Sequence, residues 1–420
     1  MATIVSVSSR WVLDSRGFPT VRTAIIIDQQ GKKGVGTASV PSGASTGSHE
    51  ALELRDGTKE FGGKGVNLAV NNVLTKIGER ILSREFSSAQ LVDEFILSLD
   101  PSENKSQIGA NAILSVSMAA HRAFADLYSL DLWQYLRRLY FSTLPAVTKY
   151  PRLMCNVING GAHADNSLDL QEFMIVPNSR EIETDVRIAA EIYQTLKKNL
   201  HADGHSVALG DEGGFAPNIK STQEAVEYLQ KAIADAGYNS LDCDLAMDAA
   251  ATEFYSKDNN DYTLENRSYS QAAMVDFYKN LKENFPNLIS IEDGLAEDDI
   301  LGWELITQAL GKKIHLIGDD LFVTNPERFK KLTANSPIAN GVLIKLNQIG
   351  SVLETCRMIN LAKESGYVTA ISHRSGETTD DFIADLAFAS QSEFIKLGAP
   401  ARGERVAKYN RLLEIKESLS

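Results

Sequence analysis

Basic charge is the first thing this chain is short of. Its 42 Lys and Arg face 55 Asp and Glu, for a formal net charge of −13 at pH 7. That balance excludes a surface that grips nucleic acid non-specifically, which needs a basic footprint. It leaves room for a small anionic ligand, because the local field of a site can oppose the net charge, and it suits a protein that collects divalent cations. Cysteine is equally scarce. Cys155, Cys243 and Cys356 stand far apart with no CxxC, so no disulfide framework is expected, and the set fits a reducing compartment. No apolar run approaches the ~18 residues of a membrane span. The opening "MATIVSVSSRWVLDSRG" has no basic stretch followed by an apolar one, so the expectation is a cytoplasmic, soluble protein without a signal peptide.

What is present is an ordinary globular composition, 43% hydrophobic and 23% charged over 420 residues, enough for one large domain or two of common size. The first third reads as strands and then helices. "TIVSVSSRWVLD" and "TVRTAIIID" are strand-like, "QQGKKG" is a turn, "GVG" at 34–36 reads as a hairpin turn, and the pattern becomes helical from about Val66 to Leu136. This predicts a small α+β domain over 1–138, with a mobile loop at about 36–48. A proline-containing, aperiodic stretch near 138–150 predicts a junction.

From about 145 to 420 the pattern changes. Short apolar runs end in polar residues and are followed by helical segments: "LAMD" to Asp248, "LISIED" to Glu292, "IHLIGDD" to Asp319, "GVLIKLN" around Lys345, "VTAISHR" to His373 and "FIKLG" around Lys396. After the first, the intervals are roughly 25 residues, the length of one strand–helix unit. Such runs suit parallel strands buried on both faces. The fold class is therefore α/β, a C-terminal (β/α)8-type barrel preceded by the smaller α+β domain, with functional groups at the strand C-termini.

Asp248, Glu292 and Asp319 at three successive strand ends would converge above the barrel, where all-oxygen ligation suits Mg²⁺ better than Zn²⁺. Singly, each also fits a helix cap. In an alternating strand Leu343, Lys345 and Asn347 share a face. Lys345 then fits either a lysine snorkelling from a strand end or a desolvated base in the barrel mouth. Arg374 and Ser375 in "SHRSGETTDD", beside His373, make an anion clamp or a capped turn. The glycines around Glu212 in "GDEGGFAP" imply close backbone approach or positive φ, making Glu212 a candidate acid or base as well as a turn residue. His163, Gln171 and Glu172 lie in loops nearby. "PSGASTGSHE" could cradle a phosphate or form a lid, but lacks the Lys of a nucleotide P-loop. "HADGH" lacks the glutamate of a zinc HExxH motif.

These motifs together resemble the enolase family, over almost the whole chain: "DSRGFPTV", "PSGASTG", "EALELRDG", "NVINGGAHADN", "GDEGGFAPN", "MDAAATEFY", "SIEDGLAEDD", "GDDLFVTN", "LIKLNQIG", "SHRSGETTDDFIADLA" and "RVAKYN". The resemblance implies a cytoplasmic glycolytic hydro-lyase that interconverts 2-phosphoglycerate and phosphoenolpyruvate. It implies that Lys345 takes the proton from carbon 2 and Glu212 protonates the leaving hydroxyl. Asp248, Glu292 and Asp319 would hold one Mg²⁺, and Ser42 would join a second that arrives with substrate. His163, Gln171, Glu172, His373, Arg374, Ser375 and Lys396 would bind or orient the substrate, in a homodimer or larger homo-oligomer. Phe18 departs from the family's usual asparagine, and "EIKESLS" stops short of its usual tail. A barrel enzyme acting on another carboxylate would leave the Ser42, Arg374 and Ser375 set without a purpose, and a scaffold role would be additional to catalysis.

Overall fold

The computed structural model describes residues 1–44, 47–146, 149–161, 164 and 166–419. Its first sheet is antiparallel, with β1 (Ala2–Leu13), β2 (Pro19–Gln29), β3 (Lys32–Ser39) and β4 (Glu85–Phe86) in the order β3-β2-β1-β4. The helix Ala110–Leu127 packs across β2 and β3. Here the reading of "GVG" at 34–36 as a turn is corrected, because these residues lie inside β3. The glycines serve helix approach. A Cβ on Gly34 would come within 2.2 Å of the Ala123 carbonyl oxygen, and one on Gly36 within 2.0 Å of that of Ala119.

The same helix carries a buried histidine. His121 Nδ1 faces the Ser117 carbonyl at 2.8 Å, so it donates, and Nε2 takes the hydroxyl of Tyr140 at 2.8 Å. Burial pushes its pKa down to about 4, against an ordinary value of 6.5. The unfolded chain therefore takes up a proton at pH values where the folded chain does not. This contribution to stability is lost as pH falls from 6.5 toward 4, by about 3 kcal/mol in total. Urea unfolding of wild type and His121→Gln should diverge over that window, with the variant showing the shallower loss. Parallel pH curves would refute a buried neutral histidine.

The second unit is a closed barrel. In chain order its strands are β5 (Arg152–Asn159), β6 (Glu172–Pro177), β7 (Cys243–Asp248), and, after a small sheet of β8 (Tyr255–Ser256), β9 (Asp261–Leu264) and β10 (Arg267–Tyr269), β11 (Leu288–Glu292), β12 (His315–Gly318), β13 (Gly341–Ile344), β14 (Val368–Ser372) and β15 (Phe394–Lys396). All six runs singled out in the sequence are parallel barrel strands. Of the remaining two, β5 runs parallel to β15, while β6 is antiparallel to both β5 and β7. Among the described residues of the link from β5 to β6 there is no α-helix to carry a crossover, and the chain turns back as a hairpin. In consequence Glu172, at the start of its strand, lies at the same end as Asn159 and Asp248.

The barrel interior is filled by Met154, Met174, Ala246, Ile317, Leu343 and Phe394, among others, while Val342 and Ile344 belong to the outer core shared with the helices. The phase expected for β13 is therefore the one found, with Leu343 inward. Lys345 continues it with extended backbone (φ −123°, ψ 112°), one residue beyond the strand. Among the described residues no helix is long and apolar enough to cross a membrane.

Candidate active site

The strand C-termini bring most of the expected residues to one mouth. At its floor, the ammonium of Lys396 lies 2.9 Å from Asp248 Oδ2, 2.9 Å from both oxygens of Glu292 and 3.1 Å from Glu172 Oε1. Burial disfavours this charge, yet Asp248, Glu172 and Glu292 outweigh it and hold the pKa well above that of a free lysine. Gln171 Nε2 reaches Asp248 Oδ2 at 3.4 Å.

Two strands from Lys396, Lys345 Nζ is paired with Asp319 Oδ2, and Gln348 Nε2 donates to Asp319 Oδ1 at 2.8 Å. Burial pulls the Lys345 pKa down, but Asp319 more than offsets it and the net shift is upward. The expectation of a favoured neutral amine is thus not met in this arrangement, because the carboxylate beside the lysine stabilises its ammonium. The turn after β12 is held by Asp293, whose two oxygens accept the backbone N–H groups of Asp319 and Asp320, each at 2.9 Å.

On the β5 side, Glu212 Oε2 accepts from Asn156 Nδ2 at 2.8 Å, and its Oε1 lies 3.6 Å from His373 Nε2. Both reasons for a glycine-rich loop apply here. Gly213 has φ +86°, and a Cβ on Gly214 would come within 2.5 Å of Asn159 Oδ1. Burial takes the His373 pKa well below 6.5, opposed by Glu212 and assisted by Arg405, Lys396 and Lys345.

The third side is cationic. Arg374 forms a two-pronged pair with Glu50 at 3.1 and 3.2 Å and donates to Asn347 Oδ1 at 3.0 Å. Ser375 Oγ accepts the Ala44 N–H at 2.7 Å. Ser42 exchanges two backbone hydrogen bonds with Gly376, both at 2.8 Å, which pins this end of the loop over the mouth. Its hydroxyl is engaged by Arg55 at 2.8 Å, Arg16 at 3.1 Å and Glu53 at 3.1 Å, a different set from the floor carboxylates. His163 lies outside the described residues.

Asp248 and Glu292, partners across β7 and β11, meet at Lys396, while Asp319 sits beside Lys345. Among the described residues, donor atoms of Asp293, Asp319 and Asp320 fall within 4.8 Å of one another, as do those of Glu172, Glu212 and His373. The carboxylates outnumber the two lysines and one arginine beside them, and the group of Asp293, Asp319 and Asp320, which offers oxygen alone, fits a hard divalent cation. Buried polar atoms left without a hydrogen bond among the described residues, such as Gln171 Oε1 and His373 Nε2, border the same space and fit a polar ligand. Glu50, Asp293, Asp320 and Gln348 were not assigned roles from sequence, although each lies inside a quoted motif. Their contacts cross from one loop to another, which no local pattern encodes.

A small sheet domain set against a barrel whose mouth gathers carboxylates, lysines and an anion clamp defines a two-domain barrel enzyme for small anionic substrates. Two family models match the chain: "Enolase, N-terminal domain" over residues 4–136 and "Enolase, C-terminal TIM barrel domain" over residues 147–420. Curated relatives include an enolase of Elusimicrobium minutum, 51% identical over 421 residues covering 100% of this chain and 97% of that protein. An enolase of Natranaerobius thermophilus is 48% identical over 421 residues, covering 100% of this chain and 96% of that protein. The chain belongs to the enolase family, the phosphopyruvate hydratases, which are hydro-lyases.

Proposed function

We propose that the chain catalyses the reversible, Mg²⁺-dependent dehydration of 2-phosphoglycerate to phosphoenolpyruvate and water, as a cytoplasmic homo-oligomer in which residues 1–138 cap a barrel spanning 145–420. The observation that carries this reading is the convergence on one buried mouth of a lysine (Lys345) and a carboxylate (Glu212) on different loops, between an acidic floor and the Arg374–Ser375 clamp.

Two Mg²⁺ ions, one held by Asp248, Glu292 and Asp319 and one joined by Ser42, would supply positive charge against the dianion that forms when carbon 2 loses its proton. Pairing a lysine base with such ions is a known pattern of this superfamily. Lys345 takes the carbon 2 proton. With Asp319 committed elsewhere, burial and the charges of Arg374 and Lys396 favour its neutral amine. Glu212 gives a proton to the departing carbon 3 hydroxyl. Arg374 and Ser375 hold the phosphate, and Lys396, His373, Gln171, Glu172 and His163 orient the carboxylate and hydroxyl groups.

Purified protein given 2-phosphoglycerate should produce the ultraviolet absorbance of phosphoenolpyruvate with Mg²⁺ and lose it with a chelator. Absence of turnover at saturating Mg²⁺ would sink the proposal.

A further inference from the structure

The motif "RVAKYN" opens the helix Gly403–Ser418 and carries three buried polar side chains, Arg405, Lys408 and Tyr409. Each reaches a mouth loop. Lys408 Nζ donates to Glu377 Oε2 at 2.8 Å and to the Thr378 carbonyl at 2.6 Å. The Tyr409 hydroxyl donates to the Gly398 carbonyl at 2.7 Å. Arg405 does most. It donates to the carbonyls of Arg374 and Ser375 at 2.6 Å each and of Asp211 at 3.1 Å, and its Nη1 lies 2.5 Å from His373 Nδ1. One guanidinium thus joins the anion-clamp loop to the loop of Glu212.

The chemistry of the donor fixes the state of its acceptor. A guanidinium carries only N–H donors and keeps its charge in proteins. His373 Nδ1 must therefore present its lone pair, and the single proton of the neutral ring sits on Nε2, 3.6 Å from Glu212 Oε1. Protonating Nδ1 would set two N–H groups against each other. The packing leaves little slack, since a Cβ on Gly398 would fall 2.6 Å from the Glu212 carbonyl oxygen, 3.0 Å from Arg405 Cδ and 3.1 Å from His373 Cε1. Burying a cation is costly unless its N–H groups are satisfied. A neutral amide could tie the loops together, but it can present its oxygen as readily as its NH2 and so would not set the proton on the imidazole.

We infer that Arg405 is a positioning residue: it holds His373 as the neutral Nε2–H tautomer, directs that N–H toward Glu212 and the substrate, and aligns residues 374–375 of the clamp. Among the described residues the charged groups facing His373 are Glu212, Arg405, Lys396 and Lys345, and of these Arg405 touches Nδ1. The catalytic consequence rests on the reaction proposed above, whereas the tautomer does not.

Histidine-labelled full-length protein tests this by ¹⁵N NMR, with the His373 signals assigned by comparison with His373→Asn. Wild type should show the Nε2–H tautomer between about pH 6 and pH 8. Arg405→Gln should let the ring protonate at higher pH and lower kcat on the order of 10²-fold, with a smaller change in KM. Arg405→Lys, which keeps the charge without the fork, should restore the ring's behaviour and recover kcat in part. An Nδ1–H or charged ring in wild type overturns the inference, and so does a folded Arg405→Gln with wild-type kcat and pH profile. If Arg405→Gln fails to fold, the wild-type tautomer and the Arg405→Lys kinetics decide. Wild type with the Nε2–H tautomer but no turnover of 2-phosphoglycerate would instead reject the proposed reaction and leave the positioning intact.

Discussion

Lys345→Ala should abolish exchange of the carbon 2 proton of 2-phosphoglycerate with solvent and lower kcat on the order of 10⁴-fold, the upper range for loss of a positioned base. A proton next to a carboxylate is held because its loss places a second negative charge on that group, and the other lysine described at the mouth is not free to take it. Lys396 is surrounded by three carboxylates, which keep its proton on. The fold should survive, since Asp319 keeps its bond from Gln348 at 2.8 Å and its backbone is held by Asp293 at 2.9 Å. Mg²⁺ binding should be equal or tighter, because the alanine frees the oxygen that Lys345 occupied. Deuterium wash-in followed by NMR, with calorimetric titration of Mg²⁺, checks both halves. Persisting exchange would mean that the base lies elsewhere.

Lys396→Met should cost stability rather than only rate. The substitution keeps the side-chain volume and removes the charge that Asp248, Glu292 and Glu172 share at 2.9 to 3.1 Å. Removing one partner of a buried ionic group leaves the others uncompensated, which costs about 3–5 kcal/mol. In chelator the melting temperature should therefore fall sharply. Added Mg²⁺ should recover part of it, since a cation bound only by the folded state stabilises it by mass action. Activity should stay low, because the ammonium proposed to orient the substrate is gone. Equal melting temperatures in chelator, or no response to Mg²⁺, would show that Lys396 does not neutralise this floor.

The contrast between these two lysines explains how far the sequence could be read. Both were visible as charges in apolar runs, and the runs themselves were legible because strands buried on both faces are continuously apolar. Regular spacing then placed Asp248, Glu292, Asp319, Lys345, His373 and Lys396 at one end of one barrel. Local pattern could not say which carboxylate each lysine meets, so the upward shift at Lys345 emerged only from its contact with Asp319. Asn347 was assigned to the face of Lys345 by alternation. It lies instead in the short helix Leu346–Ile349, and its support goes to Arg374.

By itself the sequence determined the order of elements, the six parallel strands and the types of side chain at their ends, because hydrophobic period and turn residues are local properties. The tertiary structure decided what depends on groups distant along the chain. It made β6 run backwards and so brought Glu172 to the mouth, turned Gly34 and Gly36 into a helix contact, and set Glu50 against Arg374, 324 positions apart in the chain. It also placed Arg405, from the last helix, against His373. A buried polar group must find its partner wherever the fold supplies one, and that choice is made in space rather than along the chain.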